Sequence, residues 1–333
     1  MRLGLVLLLT FSSALSWAES QTVNVFSFRQ PFLIEPILES FTEKTGIETR
    51  VIFAKKGLIQ RIKQQGELSP ADVVLTSNFS KLLQLKDEGL TQPFALEGVK
   101  ESIPSQFRDD QQRWLALTKR VRNVYSSKDR LGPLDIDYED LAQPRFKGKI
   151  CTRSGKHPYN LGLIASLIVH NGEAATKQWL EGVKANLARK PQGNDRAQVK
   201  AIKEGLCDVS LGNSYYLGKM LQDENQLAWA NAVHLNFPNQ ANRGSHINVS
   251  GAAIAKYAPN PKAAQALLEF LASQEAQSLY AKLNMEYPVN PNVQASELVK
   301  SWGEFKEDDV SLTRLANEIK TALKLVDEVK FDL

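Results

Sequence analysis

Residues 22–53 read TVNVFSFRQPFLIEPILESFTEKTGIETRVIF, and their pattern is the clearest indication of the fold class. Its beginning, 22–28, has the β-branched and aromatic composition of a strand, and a second strand is predicted at 48–53. Between them, apolar residues recur at helical spacing and stop at Gly46. A strand, a helix and a strand in this order predict the opening of a doubly wound α/β lobe.

The same alternation continues along the chain. Further helices are predicted at 58–65, 80–88, 160–170, 174–187 and 195–204, after Pro261 and in the last thirty residues, with strands at 71–75 and 207–211. Two extended segments, 115–125 and 247–255, flank the central block, and we interpret them as crossovers between two lobes. A ligand would bind in the cleft that such lobes form.

The length also favours two domains, because the chain of 333 residues exceeds the usual size of one. We expect an N-terminal lobe built from 19–119 and 247–298 and a C-terminal lobe built from 120–246. The helical segment 299–333 is assigned to neither lobe.

Residues 1–18 have the pattern of a secretory signal peptide. Arg2 precedes an apolar run at 5–9, and small residues stand at Ser16 and Ala18 before the expected cleavage. This apolar core is shorter than the roughly 20 residues of a membrane-spanning helix. The pattern therefore predicts a periplasmic protein without membrane insertion.

The charges exclude one broad class of function. The chain has 41 Lys and Arg against 37 Asp and Glu, and both signs are interspersed along it. No basic patch for nucleic acid is indicated. We expect a monomer.

Two cysteines, Cys151 and Cys207, occur in a chain that is predicted to be exported. An even count in an oxidising compartment predicts one disulfide rather than reactive thiols. No convincing Ser-His-Asp or Cys-His arrangement accompanies them, so we do not expect an enzyme.

Tyrosines follow both cysteines at the same distance. Tyr159 lies eight residues after Cys151, and Tyr215 lies eight residues after Cys207. Each follows a predicted strand and precedes a predicted helix, so each is expected at the carboxyl end of a strand, where open α/β sheets bind ligands. Together with Tyr216, these residues are expected to bring three phenols close to one another.

A phenolate is a hard anionic oxygen donor, and Fe(III) is a hard acceptor that prefers oxygen. Because an unperturbed phenol titrates near pH 10, only a strongly Lewis-acidic cation deprotonates it at neutral pH, which argues against Ca²⁺ and Mg²⁺. The ordinary alternative is that these tyrosines pack by their rings and hydrogen-bond by their hydroxyls. His157 and His246 are competing ligands, but the four histidines show no metal-site spacing.

An anion site is predicted beside the tyrosines. Ser154 and Gly155 precede a helix and offer backbone N–H groups near its positive end. Arg120 lies on the first crossover, and further donors are available from Arg29, Gln30 and Arg122.

Six motifs resemble the periplasmic ferric-binding proteins of ABC iron importers, and the similarity covers almost the whole mature chain. They are Ser-Phe-Arg-Gln-Pro (27–31), Gly-Glu-Leu-Ser-Pro-Ala-Asp-Val (66–73), Arg-Ser-Gly-Lys (153–156), Ala-Arg-Lys-Pro-Gln-Gly (188–193), Gly-Asn-Ser-Tyr-Tyr (212–216) and Glu-Tyr-Pro-Val (286–289). The resemblance implies a two-lobed periplasmic-binding-protein fold of type II, transferrin-like, with two crossover strands at the hinge. It also implies delivery of iron to an inner-membrane ABC permease.

The resemblance further implies that Fe(III) is bound by Tyr159, Tyr215 and Tyr216 together with a synergistic carbonate or bicarbonate. Arg120 and the turn at 154–155 match positions that hold this anion in some members. Other branches add a histidine, with or without a tyrosine, where this chain has Gln30 and Pro31, and one branch adds a glutamate where it has Ser77. The chain thus resembles the branch that uses three tyrosines and an anion.

A count of charges supports the anion. Fe(III) with three phenolates is neutral and keeps open coordination positions, of which carbonate would fill two. The resulting double negative charge requires nearby cations, which Arg120 and Arg29 can supply.

Two alternatives remain open at this point. A receptor of the same architecture could bind an organic or phosphorylated anion through Arg120 and the 153–156 turn, and it would show no visible absorption band. An extracytoplasmic enzyme could use Tyr159 as acid or base with Arg120 stabilising an anion, but the sequence supplies no matched second base.

Overall fold

The structure, a computed structural model, describes residues 22–333. The predicted signal peptide at 1–18 lies outside the described residues. Within 22–333, no helix combines the length and the apolar character that crossing a bilayer requires.

The strands of the described chain belong to a mixed sheet. Their bounds are β1 (Thr22–Ser27), β2 (Glu48–Phe53), β3 (Val73–Thr76), β4 (Thr91–Gln92), β5 (Leu115–Ser127), β6 (Ile150–Cys151), β7 (Val209–Asn213), β8 (Val233–Asn236), β9 (Ile247–Ala255) and β10 (Tyr287–Pro288).

The helices cover the faces of this sheet. Their bounds are α1 (Glu35–Thr45), α2 (Leu58–Gln65), α3 (Phe79–Asp87), α4 (Pro158–Ala185), α5 (Asp195–Lys203), α6 (Tyr215–Leu221), α7 (Leu227–Ala230), α8 (Pro261–Ala272), α9 (Gln274–Asn284), α10 (Glu297–Lys300), α11 (Leu312–Asn317) and α12 (Ile319–Glu328).

The strand order is β2-β1-β3-β9-β5-β7-β6, with β4, β8 and β10 attached to this path. Strand β1 pairs in parallel with β2 and β3, and β9 runs antiparallel to β3 and β5. The long strand β5 pairs with β9 over residues 115–121 and with β7 over residues 122–126. Because β5 passes from one half of the sheet into the other beside β9, both predicted crossovers and the two-lobed α/β fold are confirmed.

Separate cores lie on the two sides of this crossover. Val25, Phe41 and Leu268 belong to one core, whereas Leu163 and Trp179 of α4 belong to another. The C-terminal segment contributes to both: Leu312 and Leu315 of α11 join the first core, and Leu325 and Val326 of α12 join the second.

The two helices predicted at 160–170 and 174–187 are confirmed as the two parts of α4, which breaks at Gly172, where φ is 82° and glycine carries no Cβ to oppose this conformation. One local prediction needs correction. The strand predicted at 207–211 instead covers Val209–Asn213, because the turn after α5, in which the Leu206 N–H donates to the Ala201 carbonyl, occupies the residues just before Cys207.

The predicted disulfide is confirmed: Cys151 is bonded to Cys207, and their Cα atoms are 5.8 Å apart. Strand β6 also pairs in parallel with β7, so Cys151 lies opposite Ser210. Since parallel strands end at the same edge of a sheet, this pairing places the loops that follow β6 and β7 next to each other.

Removing the disulfide is expected to destabilise the fold without abolishing the sheet pairing. The bond joins residues 56 positions apart, and closing a loop of this length contributes about 4 kcal/mol in the chain-entropy model. Denaturant unfolding of the Cys151→Ser, Cys207→Ser double variant checks this value. Intact mass should rise by about 2 Da when the native protein is reduced, and an unchanged mass would refute the bond.

Candidate metal centre

The three predicted tyrosines lie at the edge where β6 and β7 end. Tyr159 is the second residue of α4, and Tyr215 and Tyr216 open α6 directly after β7. We call these three residues the tyrosine cluster. All three side chains are half-buried, so part of each stays accessible to a ligand.

The phenols of the cluster influence each other. The ring centroids of Tyr215 and Tyr216 are 4.1 Å apart with 31° between the planes. Burial and the neighbouring phenols of Tyr159 and Tyr216 raise the pKa of Tyr215 well above its usual value. Burial, together with Tyr159 and the Asp195 carboxylate, likewise raises the pKa of Tyr216. Both phenols are therefore neutral at physiological pH until a cation displaces their protons.

Arginines surround the cluster on several sides. The guanidinium carbon of Arg120 is 5.7 Å from the centroid of the Tyr159 ring, and that of Arg153 is 5.4 Å from the same ring. Arg196 lies 6.0 Å from the centroid of the Tyr216 ring. Arg120 was predicted as an anion donor, and Arg153 entered the prediction only as part of the 153–156 turn, whereas Arg196 was not predicted. The position of Arg153, between Cys151 and Tyr159, is a signal that could have found it.

A buried carboxylate that the sequence did not single out, Glu286, lies between two of the predicted anion donors. Nη2 of Arg29 contacts both oxygens of Glu286, at 3.1 and 3.2 Å, and Nη1 of Arg120 lies 3.5 Å away. Thr118 donates a further hydrogen bond of 2.6 Å to this carboxylate. Burial alone would raise the pKa of Glu286, but the charges of Arg29 and Arg120 lower it below the usual value. Glu286 is therefore ionised.

The anion role predicted for Arg29 and Arg120 stays a prediction. The guanidinium of Arg29 is paired with Glu286, and only about 4% of the residue is exposed. Arg120 is about 1% exposed; it donates to the carbonyls of Ser77 and Val249, and its Nη1 lies 3.5 Å from the Glu286 carboxylate. Gln30 is exposed and makes no side-chain hydrogen bond among residues 22–333.

A second buried ion-pair network is centred on Asp195. Asp195 accepts from Nη1 of Arg122 at 2.7 Å and from Nη1 of Arg153 at 3.1 Å. Burial opposes the ionisation of Asp195, but these two arginines lower its pKa below the usual value. Arg122 also donates to the Asn160 side chain at 2.6 Å. These contacts link the start of α4, which carries Tyr159, to the crossover strand β5.

The turn at Ser154 and Gly155 binds a carboxylate, but the carboxylate belongs to the chain itself. The Ser154 hydroxyl donates to Asp332 at 2.6 Å, and the Gly155 N–H donates to the same side chain at 2.8 Å. A Cβ on Gly155 would stand 2.8 Å from the Phe331 ring. Both residues thus face the C-terminal segment, and an external anion would have to replace Asp332 there; that they hold such an anion stays a prediction.

The histidines have structural environments. His157 caps α4, since its Nδ1 accepts from the Tyr159 N–H at 3.2 Å. Burial, followed by the charge of Arg153, lowers the pKa of His157 to about 3. Burial also lowers the pKa of His246 to about 4. Nε2 of His170 lies at hydrogen-bonding distance, 3.0 Å, from an oxygen of the Asp308 carboxylate.

The donor set of the centre is thus unusual for a protein metal site. Among residues 22–333, no group of three or more His, Cys, Asp or Glu side chains is placed to hold a metal ion. The tyrosine cluster offers phenol oxygens instead, which are hard donors once deprotonated.

Known proteins share this architecture. The sequence matches the model of a family described as bacterial extracellular solute-binding protein over residues 68–306. The chain belongs to this family. This chain is 40% identical to iron uptake protein A1 of Synechocystis, and the match covers 93% of this chain and 87% of that protein.

Solved structures agree with this assignment. The apo ferric ion-binding protein A of Pasteurella haemolytica superposes with a TM-score of 0.91 at 53% identity, covering 94% of this chain and 99% of that one. A Trichodesmium protein in complex with iron and citrate superposes with a TM-score of 0.88 at 38% identity, covering 93% and 99%. The resemblance to the ferric-binding proteins is confirmed.

Proposed function

We propose that this solute-binding protein captures Fe(III) with Tyr159, Tyr215 and Tyr216 and delivers it to an inner-membrane ABC permease. The observation that carries the proposal is the convergence of three phenols from two adjacent loops at one edge of the sheet. Fe(III) matches them because it is acidic enough to displace phenol protons and prefers oxygen ligands. The relatives that are named for iron uptake and ferric-ion binding support the same cargo.

The fixed charges around the cluster favour a doubly charged anion beside the metal. The two buried ion-pair networks contain four guanidinium groups, those of Arg29, Arg120, Arg122 and Arg153, and the carboxylates of Glu286 and Asp195. Two positive charges remain uncompensated. Fe(III) with three phenolates and one carbonate carries two negative charges, which matches the excess positive charge of these two networks. Arg196, 6.0 Å from the centroid of the Tyr216 ring, adds further positive charge beside the cluster. Arg120 is the proposed donor to the carbonate.

The arrangement of the lobes follows from the crossover strands. We place 19–119 and 247–298 in one lobe and 120–246 in the other, with the cluster on the second lobe facing the cleft. A cargo that contacts both lobes shifts the population toward the closed state only to the extent that it binds this state more tightly than the open state. We further propose that the protein acts as a periplasmic monomer and that the permease recognises the closed form.

The proposal is tested by metal analysis of the purified protein and by titration of apo-protein with Fe(III) against a competing chelator, with and without bicarbonate. We expect one Fe(III) per chain and tighter binding with bicarbonate. Protein that ignores Fe(III) but binds an organic or phosphorylated anion would overturn the proposal.

Iron binding is also expected to release protons. Since the raised pKa values keep Tyr215 and Tyr216 protonated in the apo-protein, Fe(III) must displace these protons. Loading in bicarbonate releases about four protons, one from each phenol of the cluster and one from the bicarbonate that becomes bound carbonate. Affinity therefore falls as the pH falls. A pH-stat titration with excess bicarbonate counts the protons, and release of fewer than two per iron would contradict phenolate ligation.

A further inference from the structure

A cavity of about 490 Å³ lies beside the crossover strand β5. It is lined by Lys119 of that strand and by residues drawn from 104–107, 287–295 and 305–307. Its volume falls within the range of about 300–1,000 Å³ that is typical of small-molecule sites. We call it the hinge pocket. It contains none of the residues to which a role in binding iron or its anion was given.

The hinge pocket lies on the face of β5 opposite the metal centre. Successive side chains of a strand point to opposite faces, and the Arg120 side chain points toward Tyr159 and Glu286. Lys119 therefore points to the other face, where it lines the pocket. Tyr287 is paired with Lys119 across the strands, so it shares this face. The pocket is thus separate from the tyrosine cluster.

The walls of the hinge pocket are aromatic and rigid. The rings of Tyr287 and Phe305 meet edge to face with their centroids 5.0 Å apart, and Phe107 forms a further wall. Three other lining residues are prolines: Pro104, Pro288 and Pro291. Because proline fixes its own φ angle, these walls lose little conformational entropy when a ligand binds. An aromatic ring can therefore pack here at a low entropic cost.

The charged groups of the hinge pocket form one pair with spare hydrogen-bonding capacity. Nζ of Lys119 lies 2.9 Å from Oε2 of Glu307, and both side chains are partly exposed. Within residues 22–333, this ammonium makes no other hydrogen bond, and Oε1 of Glu307 makes none. Since an ammonium carries three donors, a ligand meets free donors and a free charged acceptor side by side. A lone anion would be repelled by Glu307 and a lone cation by Lys119, whereas a zwitterion complements both.

We propose that the hinge pocket binds an α-amino acid with an aromatic side chain. The carboxylate of the amino acid accepts from Lys119, and its ammonium donates to Glu307, in charge-assisted hydrogen bonds. Its ring packs against Phe107, Tyr287 and Phe305. The chain then has a second ligand site, which does not depend on the proposed iron site.

The test is a ligand-observed NMR titration of the iron-free protein with L-phenylalanine and with two analogues that each lack one charge, 3-phenylpropionate and 2-phenylethylamine. We expect saturable binding of phenylalanine. Both analogues should bind at least about ten-fold more weakly, because each loses a charge-assisted hydrogen bond and leaves one charge of the pocket unmatched. Absence of saturable phenylalanine binding, or equal affinity for either analogue, would overturn the inference.

A variant assigns the binding to this pocket. Glu307→Gln removes the charge that pairs with the ligand ammonium, so phenylalanine should bind about ten-fold more weakly or worse. Glu297→Gln is the matched control, because Glu297 is paired with Lys300 on α10 and does not line the pocket. It should bind phenylalanine as wild type does.

Both variants should keep the Fe(III) affinity of the wild type, since the pocket and the tyrosine cluster lie on opposite faces of β5. Undiminished phenylalanine binding in Glu307→Gln would refute the hinge pocket as the amino-acid site. Failure of the wild-type protein to bind Fe(III) would instead refute the proposed function and leave the phenylalanine titration valid.

Discussion

Replacing Tyr215 or Tyr216 with phenylalanine is expected to lower the affinity for Fe(III) by more than about 100-fold while the fold survives. Phenylalanine keeps the ring that packs at 4.1 Å from its neighbour but removes the phenol oxygen. Loss of a direct ligand should exceed the 10- to 100-fold loss that is typical when an outer-shell partner is removed. Tyr159→Phe should behave likewise.

Competition with a chelator measures these affinities, and thermal unfolding of the apo-proteins tests their folding. Tyr257→Phe is the matched control, since Tyr257 is an exposed tyrosine that lies outside the cluster. It should retain wild-type affinity. If all three cluster variants also retained it, the assignment of the metal ligands would be refuted.

Arg120→Ala and Glu286→Gln are expected to change iron release in opposite directions. Removing the Arg120 guanidinium weakens retention of the anion, so iron is lost faster and the pH midpoint of release moves upward. Removing the Glu286 charge frees Arg29 and Arg120 from their carboxylate partner. The anion is then held more tightly, release slows, and the midpoint moves downward.

Both variants should also be less stable, because each breaks a buried ion pair, at a cost of about 3 kcal/mol or more. Release kinetics are therefore compared only under conditions where both proteins are folded, as a function of pH and with or without bicarbonate. A purely structural role would accelerate iron loss in both variants. That outcome, or wild-type kinetics in both, would contradict control of release by the anion.

The local part of the centre could be predicted from the sequence. The equal spacing of Tyr159 and Tyr215 from the two cysteines, and the strand before each tyrosine, sufficed to place the cluster at one sheet edge. These features depend on residues that are close in sequence and on the rule that parallel strands end together.

The electrostatic partners could not be predicted, because they come from distant parts of the chain. Glu286 reaches Arg29 across 257 positions, and Asp332 reaches Gly155 across 177. No periodicity or motif specifies such pairs. For this reason the sequence predicted an anion at the turn of Ser154 and Gly155 but could not identify the Asp332 carboxylate as a partner of that turn.

The hinge could be predicted from the sequence only in part. Long extended segments at 115–125 and 247–255 indicated the crossovers, and β5 and β9 are found there. Their antiparallel pairing, and the division of β5 between β9 and β7, depend on the tertiary arrangement of both lobes.

The visible absorption spectrum of the iron-loaded protein reports on whether the phenolates bind the iron. Phenolate bound to Fe(III) gives a charge-transfer band in the visible range, so the protein should become coloured on addition of Fe(III) and bicarbonate, and the band should weaken in Tyr216→Phe. A protein that binds Fe(III) stoichiometrically yet remains colourless would contradict ligation by the tyrosine cluster.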